Sequence, residues 1–255
     1  SSAASDVYKR QDDGPTPGIW ANRYISGSGW QDAQLIGTSD ADWSMASFHV
    51  ALDGAGNAFV VWIQDDYDGP ASGIWANRYI PGSGWQDAQL IGTGDADWWM
   101  ASFHVALDGA GNAIAVWTQD HYDGVDWRMN IIANRYVVGS GWGAAEVIGS
   151  STSWVYDPHI AFDGAGNALA AWTQYDDDVD GNKKNVMTNR YVAGSGWSTA
   201  EVIESSAEGT YVTLISIDNA GNVLGIWEQW DGSHWNIIVN RSVVGSGWET
   251  AGTIG

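Results

Sequence analysis

The chain of 255 residues carries 33 Gly, 18 Trp, no Cys and a net charge of −21. Lacking Cys, it has no disulfide framework, thiolate metal site or thiol nucleophile, and lacking any run of about 18 apolar residues, it has nothing to insert into a membrane. Phosphate binding needs clustered Lys and Arg, so the acidic balance argues against a nucleic-acid partner.

In chain order, residues 1–11 ("SSAASDVYKRQ") resemble nothing downstream. All eleven residues match the in-frame translation of a widely used transposase sequencing adapter. They are expected to be a library-derived tail outside the fold, with the natural N-terminus, and any signal peptide, replaced. Residues 12–255 are expected to form one repeat domain. It opens on a partial unit, with "GIWANRYI" at 18–25 and "AQLIG" at 33–37.

The second unit is complete. "FHVALD" (48–53), "NAFVVWIQ" (57–64), "GIWANRYI" (73–80) and "AQLIG" (88–92) are four apolar runs rich in strand-forming residues. "GAG" joins the first pair as a tight hairpin, whose Asp can accept turn amides and whose Gly residues can take positive φ. "PGSGW" is a second Gly turn. "AFVVWI" does not alternate, so both its faces are expected to be buried. The hairpin returns as "LDGAGNAIAVW" (107–117), "FDGAGNALAAW" (162–172) and "IDNAGNVLGIW" (217–227), with Asp53, Asp108, Asp163 and Asp218 spaced by 55. Four antiparallel strands per unit predict an all-β propeller of four-stranded blades, about 4.5 of them here, from a parent of at least five. A solenoid is the alternative.

The hairpin "HVALDGAGNAFVVW" resembles the first two strands of NHL-type propeller repeats. The whole unit, with "IWANRY", "GSGW" and the closing "IG", is similar to tandem repeats of secreted bacterial propellers, and more distantly to tachylectin-like and sialidase-like propellers. The resemblance implies the fold and an extracellular or cell-surface location. The sialidase Asp-box is absent.

Repeated and unrepeated residues separate. Arg23, Arg78, Arg135, Arg190 and Arg241 recur in "NR" and are expected to be structural clamps. Eleven Trp recur and are expected to pack between blades, among them Trp30, Trp62, Trp85, Trp117, Trp142, Trp172, Trp197, Trp227 and Trp248. Trp43, Trp98, Trp99, Trp127, Trp154, Trp230 and Trp235 lie in two loop types, the inter-blade links and the second-to-third-strand loops. Because antiparallel strands alternate in direction, these loops are expected to open on one face, with most of the 25 Asp. Loops on a rigid scaffold are where function concentrates.

Aromatic faces stack on pyranose rings, and Asp, Asn and Gln hydrogen-bond sugar hydroxyls. The expected ligand residues are Trp43, Asp95, Asp97, Trp98, Trp99, Asp120, His121, Tyr122, Trp127, Trp154, Tyr175, Trp230 and Trp235. "DDDVDGN" (176–182) places Asp176, Asp178 and Asp180 before Gly181, the opening of a calcium loop, although Lys184 and Met187 stand where an EF-hand wants later ligands. A plain Asp-Gly turn is the other reading. His49, His104 and His159 share one inner-strand position, as metal ligands or as packing groups.

No single-copy constellation of residues stands out from the repeat. The expectation is therefore a non-catalytic, multivalent, lectin-like propeller binding a glycan or cell-surface polysaccharide, with Ca²⁺ at the 176–182 loop as the one candidate cofactor. The alternatives are a structural or protein-interaction propeller without sugar binding, and a glycoside hydrolase or lyase domain.

Overall fold

The structure is a computed structural model and describes residues 18–38, 48–64, 73–93, 102–122, 124–175, 183–206 and 210–254. The chain forms two compact units, Ser1–Ala96 and Asp97–Gly255. The described residues contain no helix; they form four five-stranded and two two-stranded antiparallel sheets. Blade 3 shows the pattern. An inner strand Phe103–Leu107 pairs with Ala113–Tyr122, which pairs with Trp127–Val137. That third strand is flanked by Gly141–Trp142 at one end and Glu146–Ser151 at the other. The sheet is thus four columns wide, and the Gly-Ser-Gly-Trp turn contributes a two-residue strand of its own. Blade 2 starts at Phe48–Leu52, blade 4 at Val155–Phe162 and blade 5 at Thr210–Ile217. Within the second unit the inner strands of blades 3, 4 and 5 lie side by side.

Each Asp turn is built alike. Asp53 Oδ1 accepts the N–H of Ala55 and of Asn57, both at 2.9 Å, and Oδ2 accepts from Asn57 Nδ2 at 2.6 Å. Asp108, Asp163 and Asp218 repeat the set. Only the second Gly takes positive φ: Gly56 (85°), Gly111 (80°), Gly166 (79°) and Gly221 (90°). The first Gly of the motif is not so constrained, which is why Asn219 can stand in its place in blade 5.

The core lies between sheets. Ala58 to Ile63 is buried without alternation, as both-face burial requires. Trp62, Trp117, Trp172 and Trp227 are fully buried. Trp62 rests on Gly37 and Trp172 on Gly149, each glycine lying in the outer strand of the preceding blade. Asn77 Nδ2 donates to Ile36 O at 2.7 Å, and Asn189 Nδ2 to Ile148 O at 2.8 Å, stapling the same neighbours together. The "NR" arginines do act as clamps. Arg23 donates to Tyr79 Oη at 2.6 Å and lies over that ring, Arg135 lies over Tyr191, and Arg190 reaches Asp163 at 3.7 Å.

The Trp of the Gly turns have a second contact besides the expected packing between blades. Trp30, Trp85, Trp142 and Trp197 each pack edge-on against a Tyr of their own blade, 5.5–5.6 Å between centroids. They pin the turn to its sheet, and Trp85 and Trp197 also pack against core clusters that span two neighbouring blades.

A Cβ at Gly149 would lie 2.5 Å from the Trp172 ring. Gly149→Val is therefore expected to cost about 1–3 kcal/mol through overpacking, read as a lowered chemical-denaturation midpoint. An unchanged midpoint would mean that Trp172 does not seat against this strand.

Candidate active site

In the second unit, the two loop types expected to share a face do meet. Across the long hairpin of blade 3, Asp120 is opposite Met129 and Tyr122 opposite Trp127, so these four lie on one side. His121 and Arg128 are opposite each other on the alternate positions. The link into blade 4 lies against the hairpin tip. Asp120, Trp127, Arg128, Met129, Thr152, Ser153 and Trp154 line a cleft of about 420 Å³, room for one or two sugar units on the usual scale of ligand pockets. Trp127 is 58% and Trp154 53% exposed, which leaves ring surface free for stacking.

Aromatic contacts continue from the cleft into blade 4. Trp154 lies parallel to Tyr156, with 6.1 Å between centroids and 7° between planes. Tyr156 meets Tyr175 edge-on at 5.9 Å. Lys184 Nζ sits 4.6 Å from the Tyr175 ring centroid, and Lys184 is only 2% exposed, so the ring face offsets part of the ammonium's lost hydration.

The next residue along the inner strand is unusual. Asp157 has φ of 50°, the only positive value of a non-glycine among the described residues, and the strand register shifts between Tyr156 and His159. Its N–H donates to Ser102 Oγ at 3.2 Å. Ser102 is the residue at the same repeat position one blade earlier. Two residues on, the His159 ring packs 4.7 Å from that of His104, centroid to centroid. Burial pulls the His159 pKa below the usual imidazole value, and the charge of Asp157 partly opposes it, so the ring is neutral at pH 7.

The remaining expected residues fall elsewhere. Tyr122 packs against Trp127 at 5.4 Å, and Trp230 packs against Trp235 at 5.5 Å on the hairpin of blade 5. Trp43, Asp95, Asp97, Trp98 and Trp99 lie outside the described residues, as do Asp176, Asp178 and Asp180 of the expected calcium loop. Among the described residues no three His, Asp or Glu converge as a metal-binding group. Arg128, Tyr156 and Asp157 went unnoticed in the sequence, yet each carries a signal. Arg128 is the only Arg beyond residue 11 outside the "NR" positions, and Asp157 replaces the Ser found at 47 and 102.

No family model matches the chain, and no curated protein matches it. By structure it is similar to an ulvan lyase of polysaccharide lyase family PL25 solved bound to -[GlcA(1-4)Rha3S]-, with 11% identity, 99% of this chain and 70% of that chain covered, and a TM-score of 0.63. The same lyase solved separately gives 0.62 at 11% identity with the same coverage. A protein of unknown function from Dyadobacter fermentans gives 0.53 at 10% identity, covering 91% of this chain and 69% of that chain. These likenesses carry the fold. They also correct the expectation of a non-catalytic lectin: the ulvan lyase of this architecture is a polysaccharide-cleaving enzyme. The argument from unbroken repeat symmetry fails as well, because Arg128 departs from the repeat in the sequence and Asp157, with its positive φ, departs from it in backbone among the described residues.

In blade 5 the Asp231 carboxylate accepts from the N–H of His234 and of Ser233, from Asn236 Nδ2 and from Ser233 Oγ, all at 2.8–2.9 Å. The His234 amide, then Asn236, hold its pKa far below the carboxylate range. Hydrogen bonds to the charged form lower the pKa, so the turn's contribution is complete above the unfolded value and is lost only as pH falls through the lowered one. The Trp230–Trp235 pair is expected to keep its near-ultraviolet signal through the ordinary carboxylate range in wild type. Asp231→Ala is expected to lose that signal at neutral pH.

Proposed function

We propose that the chain is the catalytic propeller of a polysaccharide-cleaving enzyme of the cell exterior, with the glycan lying in the cleft between Trp127 and Trp154. The observation that carries this is the cleft itself. Two half-exposed indoles flank a carboxylate, Asp120, and the lining also includes Arg128, the one Arg that the repeat does not use, from the other face of the hairpin. Stacking surfaces with a few convergent polar groups are what an extended sugar chain requires. The structural likeness to a lyase solved with a glucuronate-containing glycan supports the reading.

The test is incubation of the folded chain with a panel of neutral and acidic polysaccharides, scored by new chain ends. At least one should be cut. Trp127→Ala and Trp154→Ala should each raise KM about tenfold, equivalent to ~1.4 kcal/mol of lost binding, with the melting temperature held because both side chains are half exposed. A folded protein that cuts none of the panel would sink the proposal.

A further inference from the structure

The seams of the second unit have a direction. Ile114, Met129, Ile131 and Ile148 of blade 3 lie in one cluster with Ala168, Ala170 and Trp172 of blade 4. Val186 of blade 4 lies in another with Trp227 and Ile238 of blade 5. Each blade thus offers one face to the Trp-bearing second strand of the blade that follows it in the chain. Blade 5 carries the same face. Leu224 is opposite Arg241, Glu228 opposite Ile237 and Trp230 opposite Trp235, at alternate positions of the ladder, so all six lie on the side away from Trp227 and Ile238. Ile254 follows Trp248 at the distance at which Ile148 follows Trp142, and its N–H donates to Ile237 O at 3.0 Å.

What differs is exposure. Leu224, Trp235, Ile237 and Ile254 are 43–58% exposed, whereas their counterparts Ile114, Met129, Ile131 and Ile148 in blade 3 are 0–9% exposed. Leu169, Lys184 and Val186, at the first three of these positions in blade 4, are also buried. A contiguous set of large exposed apolar side chains marks an interaction site. The polar residues of the face agree. Arg241 is exposed, whereas Arg135, at the same place in blade 3, lies over Tyr191 of the following blade. Glu228 stands exposed where Thr118 and Thr173 are buried, so a partner must meet its charge with a donor. Trp235 needs no sugar to account for it, because both preceding blades bury the side chain at its position.

We propose that this face of blade 5 is a docking surface for one further blade of the same repeat, linked in cis as blades 4 and 5 are to the blades before them. Its second strand lies across Leu224, Ile237 and Ile254, and a third-strand Tyr takes the Arg241 guanidinium, as Tyr191 takes that of Arg135. Continuity with an existing interface identifies the occupant: the same positions of the same sheet already receive such a blade twice in this unit. A covalent link holds the incoming blade at high effective concentration, so the surface need not capture one from solution. The surface is independent of the cleft and of the cleaving function.

The experiment compares the full chain with one extended after Gly255 by a copy of residues 150–204, which keeps the phase in which those residues follow Gly149. Both carry Glu228→Thr, which matches the face to that of blade 3, where Thr118 holds the place. The chain has no Cys, so Ile237→Cys supplies a lone thiol whose rate with an aromatic disulfide reports access. The expected result is a reaction about tenfold or more slower in the extended chain. Val125→Cys, on the exposed hairpin of blade 3, should react alike in both. Trp172→Asp made only in the added copy should restore the fast rate, which separates docking from shading by a loose tail. Equal rates at Ile237→Cys in the two chains would overturn the proposal, whether or not the added unit folds, since blade 5 itself folds on blade 4 with its far face bare. Two outcomes in the unextended chain would overturn it as well. Protection that grows with protein concentration assigns the face to a second copy. Protection by soluble glucuronan or arabinan assigns it to a glycan.

Discussion

The molecule depends on burying both faces of the second strand in blades 2, 3 and 4, whereas in blade 5 Leu224 and Glu228 of that strand are exposed. A strand such as Ala58–Gln64 has no solvent side, so its sheet cannot stand alone. The neighbouring sheet must come close, and the contact is made by the largest side chain against the smallest: Trp62 on Gly37, and Trp172 on Gly149. Close approach of this kind gives interior-like packing density across the seam. The buried Asn amides then satisfy backbone carbonyls that the same approach has shut off from water.

With the seams fixed by repeated residues, the loop end of the sheets is free to vary. The second unit uses that freedom. The blade 3 hairpin carries its ladder out to Tyr122 and Trp127, and the link at 152–154 folds against it. The cleft is therefore built on strand ends rather than on free loops, which fixes the two indoles more closely than a flexible loop would.

Much of this was legible in the sequence. The period of 55, the Asp turns, the buried second strand and the clamping role of the "NR" arginines follow from residue type and spacing alone. So does the meeting of the two loop types in the second unit. Other features were not legible, for physical reasons. That Trp30, Trp85, Trp142 and Trp197 also fold back on a Tyr of their own blade is a matter of turn geometry, which composition does not encode. The sides taken by Asp120 and Arg128 depend on a register that a single-residue slip would reverse. Above all, the departure from repeat symmetry at Asp157 is a departure in backbone conformation. A search for unusual residues finds an ordinary Asp there, in a chain full of Asp.

The staples have a consequence for the environments this protein tolerates. Asn77 and Asn189 hold their neighbours through neutral amides, and the Trp–Gly contacts carry no charge. The chain carries a formal net charge of −21, whose self-repulsion opposes compaction. Dissolved salt screens the repulsion over a Debye length of about 8–10 Å and leaves the amide and indole contacts untouched. Brine thus relieves the repulsion and spares the amide and indole contacts, while it screens the Arg23–Tyr79 and Arg135–Tyr191 clamps.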